Sequence, residues 1–384
     1  MTAGSSSRIV SLDQFRGYTV LGMFLVNFIG HFDVITTYAP VLKHHNTYCS
    51  YADTIMPHFL FAVGAAYRLT LRRRLAHGDG ASAYFRVVRR NLGLILLGVV
   101  IYHLDVTMFR LPDGSAKPWA RLVDDFHQFG WWAFVKSAFE REPFQTLVHI
   151  GVTSLWVLPV IALGPGVRFA FLLFSAALHL YLSKAFYYDW VWNRPGIDGG
   201  PLGFLTWTIP LLAGSFAYDL VAGNSKSRAF FLTLGWGGAT MIVGYALSCL
   251  TVWTPLETAN VQGLPLRFVE PPFVPPSDPI NLWTMSQRAG SVSYLTFGAG
   301  ISFAVYAMFI LICDMGGREL PIFRTLGNNA LAAYIIHLLV MQMVKPLCPH
   351  DAPWWFAGAS CGFFLFVTYL FVRHLERNGL YLRL

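Results

Sequence analysis

Apolar residues in this chain recur in runs of about 18 to 25, the length an α-helix needs to cross the hydrocarbon layer of a bilayer. The runs fall near 16–35, 54–71, 88–104, 146–164, 167–187, 202–222, 228–253, 293–315, 322–346 and 353–373. This pattern predicts an all-α integral membrane protein, a bundle of about ten transmembrane helices, folded as one domain over residues 1–384. Longer segments separate some of the runs, at 36–53, 105–145, 188–201 and 254–292. The second of them mixes Trp119, Phe126, Trp131, Trp132 and Phe134 with Asp124, Asp125, Lys136 and Arg141, the make-up of an amphipathic segment lying on the membrane surface. The last holds Pro255, Pro265, Pro271, Pro272, Pro275, Pro276 and Pro279, which predicts an ordered cap without helix.

Composition strengthens the membrane assignment. Hydrophobic residues make up 55% of the chain and charged residues 12%, with a mean hydropathy of +0.50. A soluble domain carries about twice that charged fraction. The net charge of +8 does not point to nucleic acid, because no long Lys/Arg tract with interleaved aromatics is present. The positive residues sit instead at the ends of apolar runs. Arg8 and Arg16 precede the first run, and Arg72, Arg73, Arg74, Arg86, Arg89 and Arg90 lie between the second and third. Arg168 lies between the fourth and fifth, Lys226 and Arg228 between the sixth and seventh, Arg318 and Arg324 between the eighth and ninth. Arg373, Arg377 and Arg383 follow the last. An even number of spans gathers these clusters on one face and puts both termini in the cytoplasm. Met1 to Ser7 is short and polar, and no small-residue cleavage site follows the first run, so that run is expected to be a retained helix. Cys49, Cys249, Cys313, Cys348 and Cys361 form no CxxC pair or metal-ligand spacing; they read as small buried hydrophobes, and no metal is expected.

Candidate chemistry concentrates at the mouth of the first helical hairpin. Polar groups are costly inside hydrocarbon, so such residues are functional candidates. Asn27 lies near the outer end of the first run, followed by Gly30, His31 and Asp33. Lys43, His44, His45 and Asn46 come next, and the second run opens with Asp53, Pro57 and His58. A histidine there can take a proton from an incoming amine or hydroxyl, or carry an acyl group covalently. An asparagine amide can polarise a carbonyl, and a carboxylate can orient the imidazole. Plainer readings stand beside these. Asn27 can be a helix–helix hydrogen bond, paired loop histidines can be solvated, and Asp53 can be a helix N-cap. Gln145, His149, Asn328 and His337 are further polar residues in or beside apolar runs, each readable as a structural hydrogen-bonding group.

Ser11-Leu12-Asp13-Gln14-Phe15-Arg16-Gly17 resembles the SxDxFRG signature of the heparan-α-glucosaminide N-acetyltransferase family, and the match continues with Met23, Val26, Asn27 and Gly30. The run from Ala52-Asp53 through Pro57, Phe59 and Phe61 to Gly64 resembles the family's AD-x-x-x-P-x-F-x-F-x-x-G. Pro201-Leu202-Gly203-Phe204 occupies the place of a family Gly-rich segment. Leu326-Gly327-Asn328-Asn329-Ala330-Leu331 with Tyr334 and His337 resembles GxNALxxY. The resemblance is strongest over residues 11–64. It implies an acyltransferase that takes acetyl-coenzyme A at the cytoplasmic face and delivers the acetyl group to an amino-sugar or glycan acceptor at the other. It places the catalytic asparagine on Asn27, the histidine on His44 with His45 as the close alternative, and the carboxylate on Asp53. Arg16, Arg72, Arg73, Arg74, Arg86, Arg89, Arg90 and Asn328 are then candidates for binding the donor, whose phosphates suit arginine forks. The arginines also read as topology anchors alone. The absence of a large N-terminal domain suits a bacterial-type, multi-pass member of the inner membrane, and the long outer segments leave room for a homodimer.

The chain departs from the family where the acceptor is expected. The loop between Asn27 and His44 is longer, the gap from His44 to Asp53 is shorter, and Asn46-Thr47-Tyr48-Cys49-Ser50 replaces the usual Trp-Asn-Gly. Nitrogen and oxygen acceptors both stay open, as does direct transfer against a covalent acetyl-histidine. Two other classes compete: a polytopic secondary transporter, which predicts Gly/Pro-broken helices in matching halves, and a non-enzymatic receptor or assembly subunit for envelope polysaccharide.

Overall fold

Each predicted apolar run is helical along most of its length in the computed structural model, which describes residues 9–78, 80–103, 118–138, 144–193, 196, 198–253 and 268–382. The side chains at 103, 122, 129 and 131–138 lie outside that description, so nothing tests the placement of Trp131, Trp132, Phe134 and Lys136; Met1 to Ser7, Arg8, Arg141, Pro255, Pro265 and Arg383 lie outside the described residues altogether. In chain order the helices are α1 Val10–Ile29, α2 Asp33–Tyr38, α3 Tyr51–Ala76, α4 Gly80–His103, α5 Trp119–Ala138, α6 Thr146–Val157 and α7 Pro165–Leu182. They continue as α8 Tyr188–Trp192, α9 Phe204–Gly223, α10 Lys226–Trp253, α11 Val292–Phe309, α12 Pro321–Asn328, α13 Ala330–Val344 and α14 Trp354–Arg377. Wider π-type turns extend α7 through Ser183–Tyr187 and α11 through Ile310–Met315. No strand occurs among the described residues, and 268–291 forms turns without helix.

Several boundaries differ from the apolar pattern, each for a local reason. α1 begins at Val10, so Arg16 lies inside the helix and not ahead of it. Its polar first turns are held by partners far along the chain. Ser11 Oγ donates to Asp314 (2.5 Å), and Gln14 exchanges hydrogen bonds with the main chain of Leu320 at 3.1 and 3.3 Å. Arg72, Arg73 and Arg74 belong to the last turns of α3, and Arg86, Arg89 and Arg90 to α4, because arginine sustains a helix well. The predicted run 146–164 stops being helical after Val157, where Pro159 cannot supply the next backbone N–H. The run 322–346 is split at Asn329, whose backbone leaves the helical region (φ −126°, ψ 42°).

Among the described residues, six helical segments are long and apolar enough to cross a membrane: Pro165–Trp192, Phe204–Gly223, Lys226–Trp253, Val292–Met315, Ala330–Leu347 and Trp354–Arg377. Their outward residues are large and apolar. Phe169, Leu173 and Phe174 of α7, Phe231, Trp236 and Ile242 of α10, and Phe363, Phe366 and Phe371 of α14 are all exposed. In water such a surface would drive association, whereas lipid solvates it at no cost. The five cysteines are buried and free.

Close helix crossings tie the sequence motifs together. A methyl on Gly17 would overlap the backbone of Phe323, and one on Gly327 would overlap the carbonyl of Asp13, so α1 and α12 touch main chain to main chain. Arg16 Nε clamps the same crossing by donating to the Gly327 carbonyl (2.8 Å). Gly64 of α3 and Gly214 of α9 make a second such crossing, against the carbonyls of Leu211 and Phe61. Small residues at these points let backbones approach where no hydrophobic force draws helices together.

Arg168 corrects an expectation. It is a fully buried residue in the first turn of α7 and no surface anchor. Its guanidinium donates to Ser215 Oγ (2.7 Å), pairs with Asp219 and lies over the Phe216 ring. Buried Arg68 joins the same carboxylate at 3.1 and 3.3 Å and donates to the carbonyls of Ile161 and Leu163.

Candidate active site

The loop that follows α2 folds back onto the first turn of α3. Ser50 is the N-cap of α3 and Asp53 its third residue, in a reciprocal capping box: Asp53 N–H donates to Ser50 Oγ (3.3 Å), and Ser50 N–H donates to Asp53 Oδ2 (2.9 Å). Asp53 is therefore not the N-cap. Its side chain is 1% exposed, and its Oδ1 accepts from Nδ1 of His44 at 2.9 Å. The backbone N–H of His45 adds a longer contact to Oδ2 (3.3 Å), and Tyr294 of α11 donates to the Asp53 carbonyl (2.6 Å). Carboxylate and backbone of Asp53 are both fixed, so Asp53 can fix the imidazole. With Nδ1–H given to Asp53, Nε2 is the nitrogen left for chemistry.

A second acid, Asp198, lies close enough to His44 for its charge to act on the imidazole. Asp198 and Gln287 are both buried, and Gln287 Nε2 donates to Asp198 Oδ1 (2.7 Å). The Asp198 carbonyl accepts from Trp207 Nε1 (2.8 Å). Asp198 and Gln287 meet because Gly199 (φ 79°) and Gly200 (φ 58°) turn the chain against Gly290 (φ 60°), a backbone that residues with a Cβ rarely adopt. Burial by itself lowers the pKa of His44, but the hydrogen bond and charge of Asp53, with the charge of Asp198, outweigh it and leave the pKa raised. Burial raises the pKa of Asp198, against the opposing pull of Gln287 and His44.

The sign of that shift gives a pH prediction. A histidine that acts as base must first lose its proton, so activity should rise with pH through the raised pKa of His44. In Asp53→Asn the stabilising carboxylate is gone and the imidazolium is less favoured. The acid limb of the rate profile should move to lower pH, together with a lower maximal rate. An unmoved limb would show that Asp53 does not set the protonation of His44.

The remaining predicted residues lie in several places. Asn27 Nδ2 donates to Nε2 of His337 on α13 (3.4 Å), and the His337 ring is oriented by its own Nδ1–H bond to the Tyr334 carbonyl and by stacking on Phe24. His45 is engaged locally: its ring stacks on Tyr48, and its Nε2 lies 2.8 Å from Tyr48 Oη and 2.9 Å from the Pro40 carbonyl. That leaves His44 with the carboxylate. Arg72, Arg73, Arg86, Arg89 and Arg90 are exposed at the adjoining ends of α3 and α4, with Arg74 half-buried. Arg72 reaches Asp219 (3.5 Å), Arg86 bonds Ser82, and Arg16 pairs with Asp13. Asn328 contacts Glu376 (3.4 Å). Sequence reasoning missed Asp198, Gln287 and Tyr294. The spacing Ser50-x-x-Asp53 could have revealed the capping box, and Gly199-Gly200 marks a turn beside Asp198, but no local pattern links Gln287 to His44.

The family model described as heparan-alpha-glucosaminide N-acetyltransferase, catalytic, matches residues 8–240, a span that holds α1 to α9 and the His44–Asp53 loop. No curated protein matches the chain.

Proposed function

Because the chain belongs to the heparan-α-glucosaminide N-acetyltransferase family, we propose that it moves an acetyl group across the membrane, from acetyl-coenzyme A on the cytoplasmic side to an extracytoplasmic sugar or glycan. In this reading ten helices span the bilayer, with both termini cytoplasmic and the His44 loop outside. The observation that carries it is the 2.9 Å bond between His44 Nδ1 and a buried carboxylate at the mouth of the α1–α3 hairpin.

The chemistry follows from that pair. His44 Nε2 takes the proton of an acceptor amine or hydroxyl as that group attacks the thioester carbonyl. The tetrahedral intermediate collapses by breaking the C–S bond, and the imidazolium returns the proton to the departing thiolate. Asp53 keeps the ring in the required tautomer and stabilises its charge. If His44 carries the acetyl group itself, the same nitrogen attacks first and the acceptor second. Asn27 is the donor assigned to the thioester carbonyl, positioned through His337. The guanidiniums at the ends of α3 and α4 face the donor's phosphates.

The test is transfer of labelled acetyl from acetyl-coenzyme A to glucosamine, and separately to a hydroxyl-bearing sugar, by the full purified chain in detergent. Acetylated product with either acceptor is the expected result. No transfer to any sugar, and no binding of acetyl-coenzyme A, would overturn the reading.

A further inference from the structure

Resting on the reading of His44 as the base, we infer that Gln287 is a further residue that positions the acceptor: its side-chain oxygen and Nε2 of His44 together hold the two hydrogens of an attacking amine.

The Gln287 carboxamide is buried, and the protein uses only one end of it. Gln287 is 5% exposed, and its Nε2 donates to Asp198 Oδ1 (2.7 Å). Its Oε1 is buried and has no hydrogen-bond partner in the protein. Two other buried carboxamides of this chain use both ends. Gln14 bonds the N–H and the carbonyl of Leu320, and Asn329 donates to the Leu380 carbonyl while accepting from the Leu382 N–H. A buried acceptor left open costs stability unless a donor arrives to fill it.

The direction of that oxygen follows from its neighbours. A carboxylate accepts and does not donate, so the NH₂ end of Gln287 must face Asp198 and the oxygen must point elsewhere. It points to His44. The Gln287 side chain hydrogen-bonds to the imidazole in the sense that raises its pKa, which is the sense of an acceptor beside a protonated ring. Nδ1 is committed to Asp53, so the nitrogen that Gln287 meets is Nε2. When the ring is neutral, Nε2 and Oε1 both present lone pairs to the same space. Two such acceptors suit a donor that brings two hydrogens.

The backbone holds this arrangement still. Ser286 N–H donates to Ser291 Oγ (3.0 Å), Ser291 N–H to the Ser286 carbonyl (3.1 Å) and Gly290 N–H to the Gln287 carbonyl (3.0 Å). Ser291 is also the N-cap of α11, whose Tyr294 donates to the Asp53 carbonyl. One turn and one helix start therefore fix Gln287 relative to the residue that orients His44.

An amine nitrogen brings two hydrogens to the attack and a hydroxyl brings one. As the nitrogen lone pair forms the C–N bond, one N–H passes its proton to His44 Nε2. The other stays on nitrogen and donates to Gln287 Oε1 throughout. The C–S bond then breaks, the thiolate takes the proton from His44, and the amide product keeps its one N–H. A hydroxyl gives its single hydrogen to His44 and leaves Oε1 unfilled.

The experiment compares kcat/KM for glucosamine and for its N-methyl counterpart, whose nitrogen carries one hydrogen, using labelled acetyl-coenzyme A and the full chain in detergent. The wild-type protein should favour glucosamine by about tenfold. Gln287→Met is close in size but lacks the oxygen. It should lower glucosamine transfer by about threefold to tenfold and bring the ratio near one. Gln287→Glu keeps an acceptor oxygen, and beside Asp198 one of the two carboxyls holds a proton, so this variant should keep the preference. A residue that only supports Asp198 would lower both acceptors alike, and an unchanged ratio in Gln287→Met would overturn the inference. Equal transfer to both amines by the wild-type protein would overturn it even if no variant folds. So would transfer to a hydroxyl sugar and to neither amine, with the acetyltransferase reading intact. No transfer to any sugar would overturn both.

Discussion

His44→Ala should lower acetyl transfer by roughly 10²- to 10⁴-fold, the usual contribution of a positioned general base. The loss would be greater if His44 carries the acetyl group covalently. The variant should stay folded, because the capping box that starts α3 needs Ser50 and Asp53 and not the imidazole. The His44 side chain is also 38% exposed, so its removal leaves no large internal cavity. His45→Ala is the internal control. Its ring is engaged with Tyr48 and Pro40, and only its backbone N–H reaches Asp53, so its effect should be much smaller. Turnover of labelled acetyl-coenzyme A by the three proteins measures both effects. Full turnover by His44→Ala would remove His44 from the mechanism.

The largest stability effect should come from the opposite end of the helices. Asp219→Leu removes the carboxylate shared by Arg68 and Arg168, which are 5% and 0% exposed. Stranding buried cations without their counter-charge costs about 3–5 kcal/mol. Both guanidiniums keep neutral acceptors, Arg68 the carbonyls of Ile161 and Leu163 and Arg168 the Ser215 hydroxyl, so the low end of that range is expected. Arg72→Ala probes the exposed member of the cluster, 54% accessible and 3.5 Å from Asp219, and should cost less than about 1 kcal/mol. Thermal unfolding in detergent separates the two. A wild-type midpoint for Asp219→Leu would show that this ion cluster does not hold α3, α7 and α9 together.

Reading the sequence located the helices well because helix formation in an apolar medium is a local affair. Every backbone bond of a span closes within four residues, so a run of apolar side chains long enough to reach across lipid is close to sufficient information. Where the run misled, a tertiary contact or a proline intervened. α1 extends back to Val10 because Asp314 and Leu320 receive its polar first turns, and α6 stops near Pro159. Arginine position along the chain likewise could not tell Arg168, buried against Asp219, from the exposed arginines at the ends of α3 and α4.

The sequence by itself determined the membrane class, the helical elements, the motif resemblance that the family match upholds, and the nearness of His44 to Asp53, which are nine residues apart on either side of the α3 N-cap. The tertiary structure alone decided that His44 and not His45 presents its ring to that carboxylate, that the buried Asp198–Gln287 pair lies near enough for its charge to act on His44, and that Asn27 bonds His337. The physical reason is range. A capping box or an apolar run is fixed by neighbours within a few residues. The meeting of α1 with α13, or of two loops through facing glycines, depends on how close whole helices can approach, and no local window of sequence carries that distance.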